Sequence, residues 1–462
     1  MSRSSRTPDQ TGNDLSAESL LDRRRFLQFL GSGALAATLP GRGFADPPDG
    51  PGQPPNVIVI FTDDQGYGDL GCYGAKHVQT PNIDRMAREG VRFTDFYAAA
   101  PRCGPSRAAL MTARYPHRNG CMKQLGFAKE GGYPLSEVMM PEVLRPAGYR
   151  TACIGKWHLG QGPRYLPTAR GFDTFFGLLS SHGNGDLPLY RDDKVLQPSV
   201  EIGTLTQRYT EEAIRFIETN KDHLFFLYLA HSMPHTDVAA SPEFMRRCGN
   251  NAYRAAIAEL DWSVGEILQA IKAHGLDDNT LVVFTSDNGP YKSGSSGPLR
   301  GRKFAVHEGG MRMPCVARWP GRVPAGSVCS EIASTMDLLP TCAALAGVSP
   351  PEDRVLDGRD IRPLLFGEED ARSPYDAFFY YGPLAVRAGK WKLHLGRDKA
   401  ANRALKIEQD WRPKMARKTE LYDLEKDIGE AKNLAAQHPD IVARLEQLIY
   451  DHLTSCRAKT ED

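Results

Sequence analysis

The segment Asn56-Val57-Ile58-Val59-Ile60-Phe61 is a continuous apolar, β-branched run bounded by turn residues, the pattern of a strand buried on both faces. Similar runs recur at Val91–Ala98, Thr151–Ile154, Leu224–Ala230 and Leu281–Ser286. Between them, apolar positions at helical spacing predict amphipathic helices over Pro141–Ala147, Thr206–Thr219 and Tyr253–His274, and residues 81–90 read as a helix with Pro near its start and Gly at its end. This alternation predicts an α/β fold, with a large, mostly parallel, doubly wound sheet covered by helices on both faces. In such sheets chemistry collects at the carboxyl ends of the strands, so the residues just after each run are the first candidates.

Beyond about residue 365 the pattern changes. Asp376–Tyr381, Leu384–Ala388 and Lys390–Leu395 are short aromatic or alternating runs split by Gly-containing turns, which predicts an antiparallel meander. Glu425–Asn433 reads as a polar connector and Pro439–Thr454 as a closing helix. The expected division is therefore an α/β domain over 46–365 and a smaller C-terminal subdomain, antiparallel sheet plus helix, over 366–462.

The first 45 residues do not belong to either. Asp22-Arg23-Arg24-Arg25-Phe26-Leu27-Gln28 leads into a short, weakly apolar stretch to Leu39, and Gly43-Phe44-Ala45 offers small residues for a signal peptidase. Such a segment is too short to span a bilayer and reads as a twin-arginine export signal cleaved near Ala45. It predicts export through the twin-arginine machinery to the periplasm or the exterior, with no stable membrane insertion after cleavage.

Composition narrows the partners. Lys+Arg number 57 and Asp+Glu 56, a net charge of +1, so there is no basic excess to neutralise phosphates and a nucleic-acid partner is disfavoured. Nine cysteines leave one over after any pairing. Folding in the reducing cytosol before export argues against essential disulfides, and none of the others shows zinc-type paired spacing. Buried thiols are expected for Cys72, Cys121, Cys153, Cys248, Cys315, Cys329, Cys342 and Cys456.

The strand ends carry chemistry. Asp63-Asp64 follow the first strand in a Gly-rich turn, and Asp287-Asn288 follow Leu281–Ser286. Two acidic clusters at one rim would repel unless a cation lay between them, and their hard oxygens suit Ca²⁺ or Mg²⁺ rather than zinc or copper. Pro105 and Ser106 are good first-turn residues, so Cys103 is expected at a helix N-terminus, where backbone N–H groups favour an anion, with Arg107 one turn further on.

Cys103-Gly104-Pro105-Ser106-Arg107, followed by Leu110-Met111-Thr112-Ala113-Arg114, resembles the sequence that directs oxidation of Cys to formylglycine in the type I sulfatases of the alkaline-phosphatase superfamily. The resemblance runs over nearly all of the mature chain. It includes Gln65-Gly66-Tyr67-Gly68-Asp69-Leu70, Thr80-Pro81-Asn82-Ile83-Asp84, Gly155-Lys156-Trp157-His158-Leu159-Gly160, Pro234-His235, and Lys303 ahead of Glu308-Gly309-Gly310-Met311-Arg312-Met313-Pro314. Arg302 stands where the family more often has Gly.

The resemblance implies a sulfuric ester hydrolase that acts through a formylglycine diol and a covalent sulfo-enzyme, the diol being made from Cys103 by a separate formylglycine-generating maturation enzyme. Asp63, Asp64, Asp287 and Asn288, with position 103, would hold Ca²⁺ or Mg²⁺. Arg107 and Lys156 would steady the diol, Lys303 would clamp sulfate oxygens, His235 would protonate the leaving group, and His158 would take the proton that expels sulfate. The resemblance also matches Ser181 to a residue near the leaving group. Export, together with Arg164, Arg170, Arg191, Lys194 and Arg302 as a mixed-charge cleft, fits an exo-acting enzyme on sulfated small molecules or saccharides. The alternatives are a phosphonate or phosphodiester hydrolase of the same superfamily, and a carbohydrate-binding pseudoenzyme.

Overall fold

A computed structural model describes residues 53–123, 125, 130–182, 187–382, 384–396 and 418–457. The expected export signal lies outside these residues.

The first apolar run of the described residues forms the strand Asn56–Thr62, buried at every position. Its alternation sorts side chains to two faces. Val57, Val59 and Phe61 join a core that includes Ala108, Leu110 and Met111 of the helix Cys103–Thr112. Ile58 and Ile60 join a second core with Leu205, Tyr209, Ala213 and Ile217 of the helix Leu205–Thr219 and Val264, Ile267 and Ile271 of Ala252–Ala273. This is why the run shows no polar alternation: neither face meets water.

The strand sits near the middle of an eleven-stranded sheet ordered Ser327–Cys329, Val91–Tyr97, Arg312–Arg318, Thr280–Ser286, Asn56–Thr62, Phe225–Ala230, Arg150–Lys156, Thr174–Leu178, Leu189–Arg191 and Lys194–Gln197, with Ala333–Ser334 also paired to Val91–Tyr97. The five strands from Thr280–Ser286 to Thr174–Leu178 are parallel to their neighbours. Arg312–Arg318 runs antiparallel between Thr280–Ser286 and Val91–Tyr97, and the hairpin from Leu189 to Gln197 closes the other edge antiparallel. The predicted helices appear at Pro81–Arg88, Leu205–Thr219 and Ala252–Ala273, while the expected helix over 141–147 divides into an α-turn, Met140–Leu144, and a 3₁₀ turn, Arg145–Ala147. Pro146 causes the break, since it has no N–H to continue the α-helical ladder.

The C-terminal meander is a four-stranded antiparallel sheet, Phe378–Tyr380, Ala385–Ala388, Trp391–His394 and Glu420–Asp423, followed by the helix Pro439–Arg457. It shares a core with the larger sheet, because Phe378, Tyr380 and Leu384 pack with Tyr97, Ala109 and Met311. A polar network crosses the same boundary. Glu308 accepts from Tyr97 and Tyr380 hydroxyls at 2.7 and 2.6 Å and from the Lys392 ammonium at 2.7 Å. Glu430 accepts from the Glu308 N–H at 2.8 Å and lies 3.0 Å from Lys392.

All nine cysteines are free thiols. Cys121, Cys153, Cys315 and Cys342 are buried as expected, whereas Cys72, Cys248, Cys329 and Cys456 are only half-buried. Of the five cations assigned to a mixed-charge cleft, Arg170 is buried against Glu142 and the Glu137 carbonyl, and Arg191 is held by Glu212 at 2.7 and 2.8 Å. Both are structural pairs, which corrects that reading.

Candidate active site

Parallel pairing brings the acidic turns together. Asn56–Thr62 and Thr280–Ser286 pair in register, with Thr62 opposite Ser286. The residues that follow therefore emerge side by side, Asp63 and Asp64 from one strand and Asp287 and Asn288 from the other. The Asp64 N–H donates to Asp287 Oδ1 and the Gln65 N–H to Ser286 Oγ, each at 3.1 Å. Asp64 takes a left-handed φ of +64°, which a short polar side chain tolerates better than most.

Cys103 is the first residue of the helix Cys103–Thr112, as its Pro-Ser first turn predicts, and is fully buried. Its sulfur lies 3.1 Å from Asp63 Oδ1 and 3.9 Å from Asp64 Oδ1. Donor atoms of Asp63, Asp64, Cys103 and Asp287 all lie within 4.8 Å of one another. Three buried cations answer the three carboxylates. Arg107 grips Asp287 Oδ2 through Nε and Nη2 at 3.2 and 2.9 Å, and its Nη1 donates to the Lys156 carbonyl and the Tyr228 hydroxyl at 3.2 and 3.3 Å. The Lys156 ammonium donates to Asp63, and to Ser181 Oγ at 3.1 Å. Lys303 Nζ is 2.7 Å from Asp64 Oδ2 and 3.3 Å from the Cys103 sulfur.

The charges split the titrations. Burial opposes ionisation of Asp63, but Lys156, His235, Arg107 and Lys303 together hold it well below the usual carboxylate range. Asp287 is pushed up, first by burial and then by the charge of Asp63, more than Arg107 offsets. Burial would lower Lys303, yet Asp64 and the neighbouring anions hold it above the ordinary lysine value. The Cys103 thiol is pushed well up by burial and by Asp287 and Asp63. A sulfur so placed is a poor thiolate nucleophile, unlike the activated cysteines that a lowered pKa marks.

The donor set fits a hard divalent cation. Asn288 Nδ2 donates to Asp64 Oδ1 at 2.7 Å, whereas its Oδ1 is buried with no hydrogen-bond partner among the described residues. An unsatisfied carbonyl oxygen beside three carboxylates, two of them with opposed titrations, is the oxygen-rich environment that Ca²⁺ or Mg²⁺ takes.

The two histidines stand differently. His235 is the more open, with 17% of its side chain exposed, while Asp63, Cys103, Arg107, Lys156 and Asp287 are wholly buried. Ser181 Oγ lies 3.3 Å from its Nε2 and also receives Lys156, so Ser181 links the two. Burial pushes His235 down to about 4, with Asp63 opposing. His158 follows Lys156 on a tight turn with a φ of +61° and its N–H donates to the Leu179 carbonyl at 3.1 Å. It is pushed well down, first by burial and then by Lys156 and Arg107.

All eleven expected site residues thus lie at the carboxyl end of the sheet. Arg302, the departure from the usual Gly, ties its loop to a neighbouring one: its guanidinium donates to the Tyr291, Lys292 and Gly294 carbonyls at 3.3, 3.4 and 2.7 Å. Three contributors were not expected. Tyr228 anchors Arg107 from inside a strand legible only as an apolar run. His182 lies 3.1 and 3.0 Å from the His235 and Asp237 carbonyls, holding that loop. Tyr291 is 37% exposed with its ring centroid 5.8 Å from Lys303 Nζ, an aromatic face beside the site that no motif signals.

Comparison with known proteins agrees in extent and order. The profile of the family described as Sulfatase matches residues 55–348, and that of "N-sulphoglucosamine sulphohydrolase, C-terminal" matches 301–458. N-acetylgalactosamine-6-sulfatase of Mus musculus is 41% identical over 377 residues, covering 74% of this chain and 72% of its own. Arylsulfatase A of Homo sapiens is 39% identical over 445 residues, covering 86% and 87%. The crystal structure of Ps i-CgsB in complex with k-i-k-neocarrahexaose superposes with a TM-score of 0.76 at 32% identity, over 87% of this chain and 93% of that one.

Proposed function

Because the chain belongs to the sulfatase family and is a sulfuric ester hydrolase, we propose that it desulfates sugars with Cys103 as formylglycine and Ca²⁺ held by Asp63, Asp64, Asp287 and Asn288. The observation that carries this reading is the placement of the Cys103 sulfur, 3.1 Å from Asp63 and 3.3 Å from Lys303, at the start of a helix. Oxidised by a maturation enzyme and hydrated, position 103 supplies two geminal hydroxyls, one to attack sulfur and one through which sulfate is later eliminated; a serine has only the first. A divalent cation held by Asp63, Asp64, Asp287 and Asn288, Ca²⁺ or alternatively Mg²⁺, would supply Lewis-acid stabilisation of developing negative charge.

The chain's own residues do the rest. Lys303, between Asp64 and position 103, is placed to clamp sulfuryl oxygens as charge develops. Arg107 fixes Asp287, and Lys156 fixes Asp63 and Ser181, so the nucleophile is held in a preset field. His235, the site residue nearest solvent, protonates the leaving oxygen; the negative charge of a bound sulfate raises its pKa toward the working range. His158, neutral at the inner side, accepts the proton whose removal expels sulfate.

Tyr291, 37% exposed and 5.8 Å from Lys303 Nζ, offers an aromatic face to a sugar ring, and the action proposed is exo, on a terminal sulfated residue of a saccharide. Residues 46–365 serve as the catalytic domain and 366–462 as the subdomain that buttresses it. No helix among the described residues is long and apolar enough to cross a membrane, and the arginine-rich leader directs twin-arginine export to the periplasm or beyond.

Sulfate release from a panel of sulfated monosaccharides and disaccharides, with mass spectrometry of the Cys103 peptide, tests this. The expected result is turnover of at least one sulfated sugar by protein carrying the aldehyde. Faster hydrolysis of phosphonates or phosphodiesters, an unmodified thiol in active protein, or sugar binding without turnover by the aldehyde form would each overturn it.

A further inference from the structure

A second convergence of metal-ligating side chains lies away from the Asp63–Asp287 cluster. His452 and Cys456, four residues apart on the helix Pro439–Arg457, project from one helical face. His117 meets them from the loop that follows the helix Cys103–Thr112. The Nε2 atoms of His117 and His452 face each other at 2.7 Å, the Cys456 sulfur is 3.8 Å from His452 Nε2, and all three donors lie within 4.8 Å of one another.

The rings are held rather than free to turn. His452 stacks on Phe379 with centroids 3.9 Å apart and an interplanar angle of 13°, and His117 stacks on Tyr115 at 5.2 Å and 17°. Two imidazole nitrogens at this separation need something between them, either one shared proton or a cation. The nearby Arg118 guanidinium acts against positive charge on both rings, and it is offset in part by Asp357, whose two oxygens take its Nε at 3.1 and 3.0 Å.

We propose that His117, His452 and Cys456 form a site for a borderline-soft divalent metal, zinc foremost, which clasps the closing helix to the loop beyond the Cys103 helix. Tetrahedral zinc with its usual bond lengths sets N–N and N–S edges of about 3.3 and 3.6 Å, so the observed spacing requires only a small parting of the two rings. All three residues are half-buried, which leaves the fourth position to water. Two nitrogens and a sulfur bind Ca²⁺ and Mg²⁺ poorly, so this site and the oxygen-lined one select different ions.

The test uses the full chain as the Cys103→Ala variant, so that the catalytic cluster offers no thiolate, in excess Ca²⁺ to occupy the hard-oxygen donors. Zinc titration against a chromogenic chelator is expected to give about one equivalent, weakened about 100-fold or more by adding His117→Ala. Cobalt in place of zinc is expected to show a thiolate-to-metal charge-transfer band that Cys456→Ser removes. Zinc is expected to raise the thermal midpoint by about 3 °C or more, and not in the His117→Ala/Cys456→Ser form. Zinc binding that ignores both substitutions, or none tighter than in the double variant, would overturn the proposal and leave a shared proton as the link between the rings. The Cys456→Ser arm keeps the test decisive if His117→Ala impairs folding.

Discussion

Lys303 Nζ lies 3.3 Å from the Cys103 sulfur while donating to Asp64 at 2.7 Å, although 200 residues of chain separate it from Cys103. The ammonium therefore faces both the Asp64 carboxylate and the position proposed for the nucleophile. Lys303→Ala is expected to lower kcat/KM for sulfate esters by about 10²–10³, as for loss of one oxyanion-stabilising group, and Cys103→Ala to abolish multiple turnover. Both variants should remain folded by circular dichroism. Wild-type sulfate release by Cys103→Ala would refute the assignment of the nucleophile.

The histidines separate by leaving group. His235→Ala should lose about 10²–10⁴ in rate on alkyl sulfates and much less on activated aryl sulfates, whose leaving groups need little protonation. His158→Ala should transfer sulfuryl once and stall, giving a burst and a sulfated protein in the intact mass. The reverse pattern would exchange the two roles.

Chelation should inhibit and Ca²⁺ should restore activity. Asp287→Asn is expected to weaken metal binding while leaving Arg107 without its buried counter-ion, so calorimetric Ca²⁺ affinity and rate should fall together. Active protein containing stoichiometric zinc and neither calcium nor magnesium would contradict the hard-oxygen assignment.

Much of this was readable along the chain and some was not. Four of the five central strands announce themselves because both faces are buried, which leaves unbroken apolar runs such as Asn56–Phe61, whereas the short Thr174–Leu178, interrupted by Gly177, does not. Arg312–Arg318 is equally buried but escapes the pattern: Arg312 pairs with Asp95 at 2.7 Å and Arg318 with Asp277 at 2.6 Å, and a proline stands between them. The carboxylates after Thr62 and Ser286 could be found because strand order predicts a shared rim. The role of Glu308 could not, since its partner Lys392 is 84 residues away on another sheet, and no periodicity links them.

That pair yields a stability prediction. Lys392 is wholly buried between Glu308 and Glu430. Despite burial, Lys392 with Arg312 and Arg387 holds Glu308 well below the usual carboxylate range, and Lys392 with His394 holds Glu430 down at about 2. Lys392→Ala removes the ammonium shared by two buried carboxylates, leaving Glu308 to Arg312 and Glu430 to His394, and should cost about 3 kcal/mol in denaturant unfolding. Lys392→Met with Glu308→Gln and Glu430→Gln should recover part of the loss. An effect under about 1 kcal/mol would mean the network is solvated.

Acid should destabilise the fold through its buried histidines. Burial pushes His231 down to about 3, with Ser263 Oγ 3.2 Å from its Nε2. An unfolded histidine titrates near 6.5, about three units higher, so below that pH the unfolded chain binds the extra proton. Stability is then complete above about pH 6.5 and lost progressively toward pH 3. His231→Gln should flatten the thermal midpoint against pH over this window, and an unchanged slope would remove His231 as a contributor.

A side chain with no exposed surface cannot be reached by a second enzyme once the protein has closed around it, and Cys103 has none. Its walls include Asp287 and Lys303, synthesised up to 200 residues later. At about 5–20 residues per second the ribosome needs roughly 10–40 s to make that stretch. On the formylglycine reading proposed above, oxidation of Cys103 would have to precede the closing of these walls, and a protein that folded first would keep an unmodified thiol.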